Sequence, residues 1–199
     1  ALWAMQTVGL IELLIGLGLS GPLRSVILGV IIGRMAHPGS ERATRRWLER
    51  RSGLGEWLEV DFEAMAENAL YRASDALIKH RSTIEDALFG RVSSLFGLET
   101  TVTLYDLTNT YFEGEAARNP KARRGHSKEK RTDCPLVTLG LVLDGSGFVR
   151  RSECFEGNVA EGTTLAGMLQ SLGAPPGALI VMDSGLAAEE NLAWLRAEG

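Results

Sequence analysis

Cysteine is almost missing from this chain. Cys134 and Cys154 are the only two among 199 residues. Two thiols cannot build a disulfide framework, and neither has partners at metal-ligand spacing. Buried thiols in a reducing cytoplasm are the expected state. Histidine is equally scarce. His37, His80 and His126 are scattered and lack partners at helical or strand spacing, so they are surface residues by default; His126 is placed to touch a phosphate. Strong charge of one sign is absent too. The formal net charge is −4, which does not advertise a nucleic-acid binder in bulk. An uninterrupted membrane span is also lacking. The apolar stretch Thr7–Gly33 is broken by Glu12, Pro22 and Arg24. Neither piece approaches the ~20 apolar residues that a span needs. No basic segment followed by a small-residue cleavage site precedes it. Two buried helices are expected there. Gly145 and Gly147 are turn glycines rather than a phosphate loop, because no helix follows them. There is no internal repeat and no low-complexity tract.

What remains is an ordinary globular composition, 45% apolar and 23% charged, in a chain long enough for one medium or two small domains. Residues 1–98 carry helical patterning. "DFEAMAENALYRASDALIKH" (61–80) sets its apolar residues on one helical stripe with Asp61 as N-cap. "TIEDALFGRVSSLFG" (83–97) offers Thr83 as a cap and Gly97 as a stop. "PGSERATRRWLERRSG" (38–53) predicts a short helix capped by Ser40 and dense in arginine. Arg42, Arg45, Arg46, Arg50 and Arg51 suit either a major groove or, as the plainer reading, a solvated face opposite Trp47 and Leu48.

The character changes near Thr100. "TVTLYDL" is strand-like, and "CPLVTLGLVLDGSGFVRRSECF" (134–155) is a hairpin around Asp144-Gly145-Ser146-Gly147. A helix over 160–173 follows, for which Asn158 is a candidate cap. Then comes "GALIVMDSG" (177–185), patterned as a strand buried on both faces, and a last helix. A helical domain over 1–98 and a mixed α+β or α/β domain over 99–199 are expected.

Two aspartates stand out. By strand parity Asp106 shares a face with Val102 and Leu104, and Asp183 shares one with Leu179 and Val181. A carboxylate on an apolar face is costly unless paired or metal-bound. The alternative is a turn former or helix cap, which spacing alone favours for Asp183 and leaves even for Asp106. If the two strands are parallel neighbours, both carboxylates meet at one sheet edge. They would suit Mg²⁺ (or Mn²⁺), hard ions that take oxygen ligands and bind phosphate oxygens. Between the first strand and the hairpin, residues 117–131 hold Arg118, Lys121, Arg123, Arg124, Lys128, Lys130 and Arg131 against the single acid Glu129. Such a loop either tracks DNA phosphates or is a solvated charge run.

"LYDLTNTYFEGE", "RRGHSKEKRTDCPLVTLGLVLDGSGFVRRSECFEGNVAEGTTL" and "VMDSGLAAEENLAWL" together resemble the DDE transposases of bacterial insertion sequences. The branch resembled carries a Tyr-Asp-Leu-Thr-Asn-Thr-Tyr-Phe-Glu-Gly motif at its first catalytic aspartate. The stretch from Gly16 to Leu58 also resembles that branch's N-terminal region. The resemblance implies a ribonuclease-H-like catalytic domain whose first and fourth strands are adjacent and parallel, each carrying an aspartate. It implies Asp106 and Asp183 as catalytic metal ligands for Mg²⁺ or Mn²⁺. DNA cleavage and strand transfer at element ends would be the activity, DNA and further subunits the partners, and a bacterial, nucleoid-associated cytoplasm the location. The third acid of that family, a glutamate on a downstream helix, has no match here. Glu156, Glu189 and Glu190 fall at other motif positions. The chain starts at Ala1 and stops in a helix-like run, so a truncated or partial transposase is expected, without strand transfer on its own. A non-catalytic remnant that binds DNA or full-length transposase, and a metal-dependent nuclease, are the competing readings.

Overall fold

The structure is a computed structural model that describes residues 1–98, 102–125, 131–173 and 177–198. It divides into two compact units, Ala1–Arg91 and Val92–Gly199.

The first unit is helical. α1 (Leu2–Thr7), α2 (Leu10–Gly16), α3 (Gly21–Ala36), α4 (Glu41–Arg50), α5 (Leu54–Leu58) and α6 (Ala69–Lys79) surround an aliphatic core. Leu14, Ile27, Leu48 and Leu70 are its most deeply buried large side chains. The broken apolar stretch thus forms α2 and α3, with Pro22 in the first turn of α3, where its missing N–H costs nothing. No helix among the described residues is long and apolar enough to cross a membrane. Ser40 caps α4 as its position predicts, accepting from the Ala43 N–H at 3.3 Å. The expected helix from Asp61 to His80 is shorter than its pattern. Asp61 does not cap a helix; its Oδ1 accepts from the N–H groups of Glu63 and Ala64 and holds a local turn. Helix begins only at Ala69. α7 (Arg81–Phe96) starts two residues before Thr83, which is therefore inside the helix and not its cap. Its end at Gly97 is as expected, with φ +61. The division between the units falls within α7.

The second unit is a four-stranded mixed sheet with helices on one face, so the chain as a whole is α+β. β1 (Val102–Tyr111), β2 (Leu136–Asp144), β3 (Val149–Glu156) and β4 (Leu179–Met182) take the order β3-β2-β1-β4. β1–β2 and β2–β3 are antiparallel, and β1–β4 is parallel. Asp144 sets the hairpin: its Oδ1 accepts from Ser146 N–H at 3.1 Å and Phe148 N–H at 2.7 Å, and Gly147 supplies φ +87. A 3-10 turn (Glu161–Thr163) leads into α8 (Leu165–Leu172), and α9 (Glu189–Glu198) follows β4. Asn158 caps neither; Ala160 precedes the 3-10 turn and Thr164 precedes α8.

The core of this unit lies on one face of the sheet. Tyr105, Leu107 and Val142 pack against Leu165, Met168, Leu169 and Leu186, with Ile180, Met182 and Trp194 at its margin. The other face is apolar but uncovered within the unit's own core. Val137, Leu139, Leu141 and Leu143 of β2 are half-buried there, and Leu179 and Val181 are 60% and 45% exposed. β4 is accordingly buried on one face and not on both, contrary to its uniformly apolar sequence.

Candidate metal site

β1 places Asp106 by its register. Thr103, Tyr105 and Leu107 are buried against the core, so Asp106 points to the opposite face, where it is exposed. The apolar face predicted for Asp106 is the outer one; the buried face belongs to its odd-numbered neighbours. Leu141 of β2 stands directly opposite Asp106. On the other side of β1, the parallel pairing with β4 runs Leu104↔Val181 and Tyr105↔Met182. Asp183 follows Met182 at once, and Asp106 follows Tyr105. Each aspartate thus directly follows a member of the last paired step, Asp106 still within β1 and Asp183 just past the C-terminal end of β4. Asp183 lies one residue past β4, in the turn that its Oδ1 closes onto the Leu186 N–H, where strand alternation no longer fixes the side chain. Neighbouring strands lie about 4.8 Å apart. At that spacing two carboxylates can share a bound cation.

Their local chemistry differs. Asp183 is half employed by its turn: its Oδ1 accepts from Leu186 N–H at 3.1 Å, and its carbonyl accepts from Leu186 and Ala187 at 3.2 Å each. The second carboxylate oxygen remains open. The Asp106 carboxylate accepts no hydrogen bond from any described residue, and Leu141 stands opposite it on β2. Asp183 is thus a turn former, three residues ahead of Leu186 and well before α9 begins at Glu189, whereas the Asp106 carboxylate has no hydrogen-bond partner among the described residues.

Glu161 is an acid that its sequence position does not reveal. Its Oε2 and the Oδ1 of Asp183 each lie 3.3 Å from where a Cβ on Gly185 would stand. Two carboxylates thus flank one glycine at the end of β4. Glu161 is held there through its backbone: the Tyr105 hydroxyl donates to Thr164 Oγ1 at 2.7 Å, and Thr164 donates to the Glu161 carbonyl at 2.7 Å. Burial pushes the Tyr105 phenol above its ordinary pKa, partly offset by the bond to Thr164. Among the described residues no three of the His, Cys, Asp and Glu side chains gather into one metal-holding group. Glu156 is drawn elsewhere, 3.9 Å from Arg123.

The basic loop separates into engaged and free charges. Lys128 and Lys130, with His126, lie outside the described residues. Arg131 forks onto Asp133 at 2.7 and 2.8 Å, approaches Glu113 at 3.7 Å and covers the Tyr111 ring at 4.8 Å. That fork holds the Asp133 carboxyl far below its ordinary range. Lys121 donates to the Cys154 carbonyl and approaches Glu153 at 3.4 Å. Arg118 and Arg124 are exposed with no acidic partner among the described residues. Arg123 is anchored through its backbone, exchanging hydrogen bonds with Leu136 at 3.0 and 2.8 Å. Leu136 stands opposite Tyr111, five residues along β1 from Asp106, or roughly 17 Å at strand rise.

No protein-family model matches the chain, and no curated protein or solved structure matches it either.

Proposed function

We propose that the second unit is the metal-holding part of a polynucleotidyl transferase of the DDE transposase type, with a ribonuclease-H-like sheet. The observation that supports this reading is the parallel pairing of β1 with β4, whose last pair, Tyr105↔Met182, is followed at once by Asp106 and Asp183, with the Asp106 carboxylate exposed and without a hydrogen-bond partner among the described residues. Mg²⁺ or Mn²⁺ bound between them would supply Lewis-acid chemistry at a phosphodiester. The two side chains would hold the cation and orient it toward a phosphate oxygen. Asp183 is fixed for this by its turn, and Asp106 by the rigid centre of the sheet.

Phosphodiester transfer needs charge stabilisation at both the attacking and the leaving oxygen, commonly by two cations about 4 Å apart. Two aspartates provide part of that ligand set, so cation binding without strand transfer is expected of these 199 residues. A chain that adds a glutamate-bearing segment should cleave DNA at the ends of its element. The test is an end-cleavage assay in Mn²⁺ on the short chain, the extended chain, and the extended chain with Asp106→Asn or Asp183→Asn. Activity confined to the unsubstituted extended chain is the expected result. Robust transfer by the short chain would contradict the requirement for a further acid, and an extended chain indifferent to both substitutions would remove the catalytic assignment.

DNA is the partner this reading implies, and the loop ahead of β2 supplies exposed positive charge in the same unit. The roughly 17 Å along β1 from Asp106 to the Arg123 anchor equals about five base-pair steps of duplex. Arg118, Arg123 and Arg124 would meet backbone phosphates, whereas Arg131 is already consumed by Asp133. Replacing Arg123 and Arg124 with Ala should weaken binding to all duplex sequences and reduce the log–log salt slope by about one unit per lost contact. Arg131→Ala should leave that slope in place. Anisotropy titrations between low and moderate salt check both, and a slope unchanged by the double substitution would leave the loop as a solvated charge run.

A further inference from the structure

The stretch 61–68 does not adopt the helix its residues favour, and nothing inside it explains why. From Asp61 to His80 there is no glycine and no proline, and Glu63, Ala64, Met65, Ala66 and Glu67 are good helix formers. The apolar stripe of α6 runs backwards without a break through Ala66, Met65 and Phe62. A helix start is already formed at Asp61. Its Oδ1 accepts from the N–H groups two and three residues on, Glu63 at 2.9 Å and Ala64 at 3.1 Å, which are the bonds an N-cap makes. Where α6 does begin, no side chain caps it. Asn68 precedes Ala69 with φ −93 and ψ 7 and makes no side-chain cap bond. A cap without a helix thus precedes a helix without a cap.

The break is imposed from α4. In a helix running on from Asp61, the carbonyls of Glu63 and Met65 would accept from the N–H groups of Glu67 and Ala69. Arg45 takes their place: its Nη2 donates to the Met65 carbonyl at 2.8 Å and, more loosely, to the Glu63 carbonyl at 3.4 Å. The Ala69 N–H turns to the Ala66 carbonyl at 3.0 Å. Glu49 steadies Arg45 by accepting from its Nε at 2.5 Å. The hold is incomplete, because Nη1 of Arg45 is buried without a hydrogen-bond partner, an arrangement that opposes it. There is space beside the stretch as well. Ala64, Met65 and Ala66 border an apolar cavity of about 460 Å³ against Leu23 and Val26 of α3. Arg45 and Glu49 border another of about 650 Å³, with Glu67 and Asn68 in its wall. Phe62 is the fixed point. It is buried, and it packs where a Cβ on Gly29 would stand 2.9 Å from its ring.

We propose that residues 61–68 are a latched extension of α6. Release of Arg45 from the Glu63 and Met65 carbonyls lets the helix run from the Asp61 cap into α6, adding about two turns. The first unit then has a short and a long state of one helix, and Arg45 sets the balance between them. The device lies wholly in the first unit and needs no cation at Asp106 and Asp183.

The test is backbone NMR of the isotopically labelled 199-residue chain, reading Cα shifts over 62–68 and amide exchange at Glu67, Asn68 and Ala69. In Arg45→Met the Cα shifts should move to helical values, and exchange at the three amides should slow by about tenfold or more. Arg45→Lys keeps a charge for Glu49 but lacks the guanidinium fork, so it should move both readouts part of the way. This milder variant decides the matter if Arg45→Met does not fold. Adding Ala66→Pro to either variant should remove the helical shifts over 62–66, because proline inside the extended helix loses a bond and clashes with the preceding turn. Shifts and exchange that stay at wild-type values in the folded Arg45 variants would overturn the proposal. So would shifts that move to random-coil values with faster exchange, since Arg45 would then hold the stretch together and not hold it back. Helical shifts that survive Ala66→Pro would show that the change is not a continuous helix, and would overturn it too.

Discussion

Mn²⁺ should raise the melting temperature of the wild-type chain and leave Asp106→Asn and Asp183→Asn unmoved. A cation that binds only the folded state stabilises it by RT ln(1 + [L]/Kd), about 2.7 kcal/mol at a hundredfold excess over Kd. For a unit of about a hundred residues that corresponds to a shift of roughly 13 °C. The apo proteins make the result diagnostic. The Asp106 carboxylate accepts no hydrogen bond from any described residue and stands opposite Leu141, so neutralising it should cost the metal-free fold little. Asp106→Asn should melt at or slightly above the wild-type temperature in EDTA. Asp183→Asn keeps an acceptor oxygen for the Leu186 N–H and should also fold normally, whereas Asp183→Ala loses that bond and about 1 kcal/mol. A structural aspartate would show the opposite pattern: a lower apo melting temperature on substitution and a metal response that survives.

The second large effect is expected at Gly157. A Cβ on this residue would stand 2.0 Å from the Leu136 carbonyl oxygen and 2.5 Å from that of Arg123. Those are the two carbonyls of the isolated bridge that anchors the basic loop to β2. Gly125 reinforces the constraint, since its own Cβ would meet the Gly157 carbonyl at 2.3 Å. Backbone atoms on both sides leave no flexible side chain to give way. Gly157→Ala should therefore break the bridge and cost about 3 kcal/mol, the upper end of overpacking penalties. Hydrogen exchange at the Arg123 and Leu136 amides should accelerate with it. Gly147→Ala is the matched control. Its φ of +87 strains an alanine, but nothing lies within 4 Å of the added carbon. Urea melts should show a cost of about 1 kcal/mol there and no change in the bridge. Equal costs at the two glycines would mean that close approach is not what Gly157 provides.

Much of this architecture is readable in the residues, and the gaps have physical causes. Ser40, Asp144 and Gly97 act locally, on backbone within four residues, so their roles follow from sequence. Asp61 has the same side chain as a helix cap but closes a turn instead, because two nearby N–H groups satisfy it before a helix starts. The buried face of β1 was ambiguous for another reason: apolar residues occupy both parities. The choice is made by Tyr105, whose hydroxyl finds Thr164 fifty-nine residues away, and by Leu107 packing under α8. Parity in the sequence leaves strand adjacency open; the parallel β1–β4 pairing supplies that, and β4 ends at Met182, one residue before Asp183. Glu161 was invisible for the same reason as the Thr164 bond, since it reaches the end of β4 only through the tertiary fold.

The proposed function requires that Asp106 and Asp183 hold one cation between β1 and β4. Anomalous scattering from crystals of the 199-residue chain grown with Mn²⁺ tests it most directly. A manganese peak is expected at the C-terminal end of β4, within coordination distance of carboxylate oxygens from both residues, and should be lost in Asp106→Asn crystals. A peak bound by Asp183 and Glu161 without Asp106, or ordered manganese only elsewhere, would contradict it.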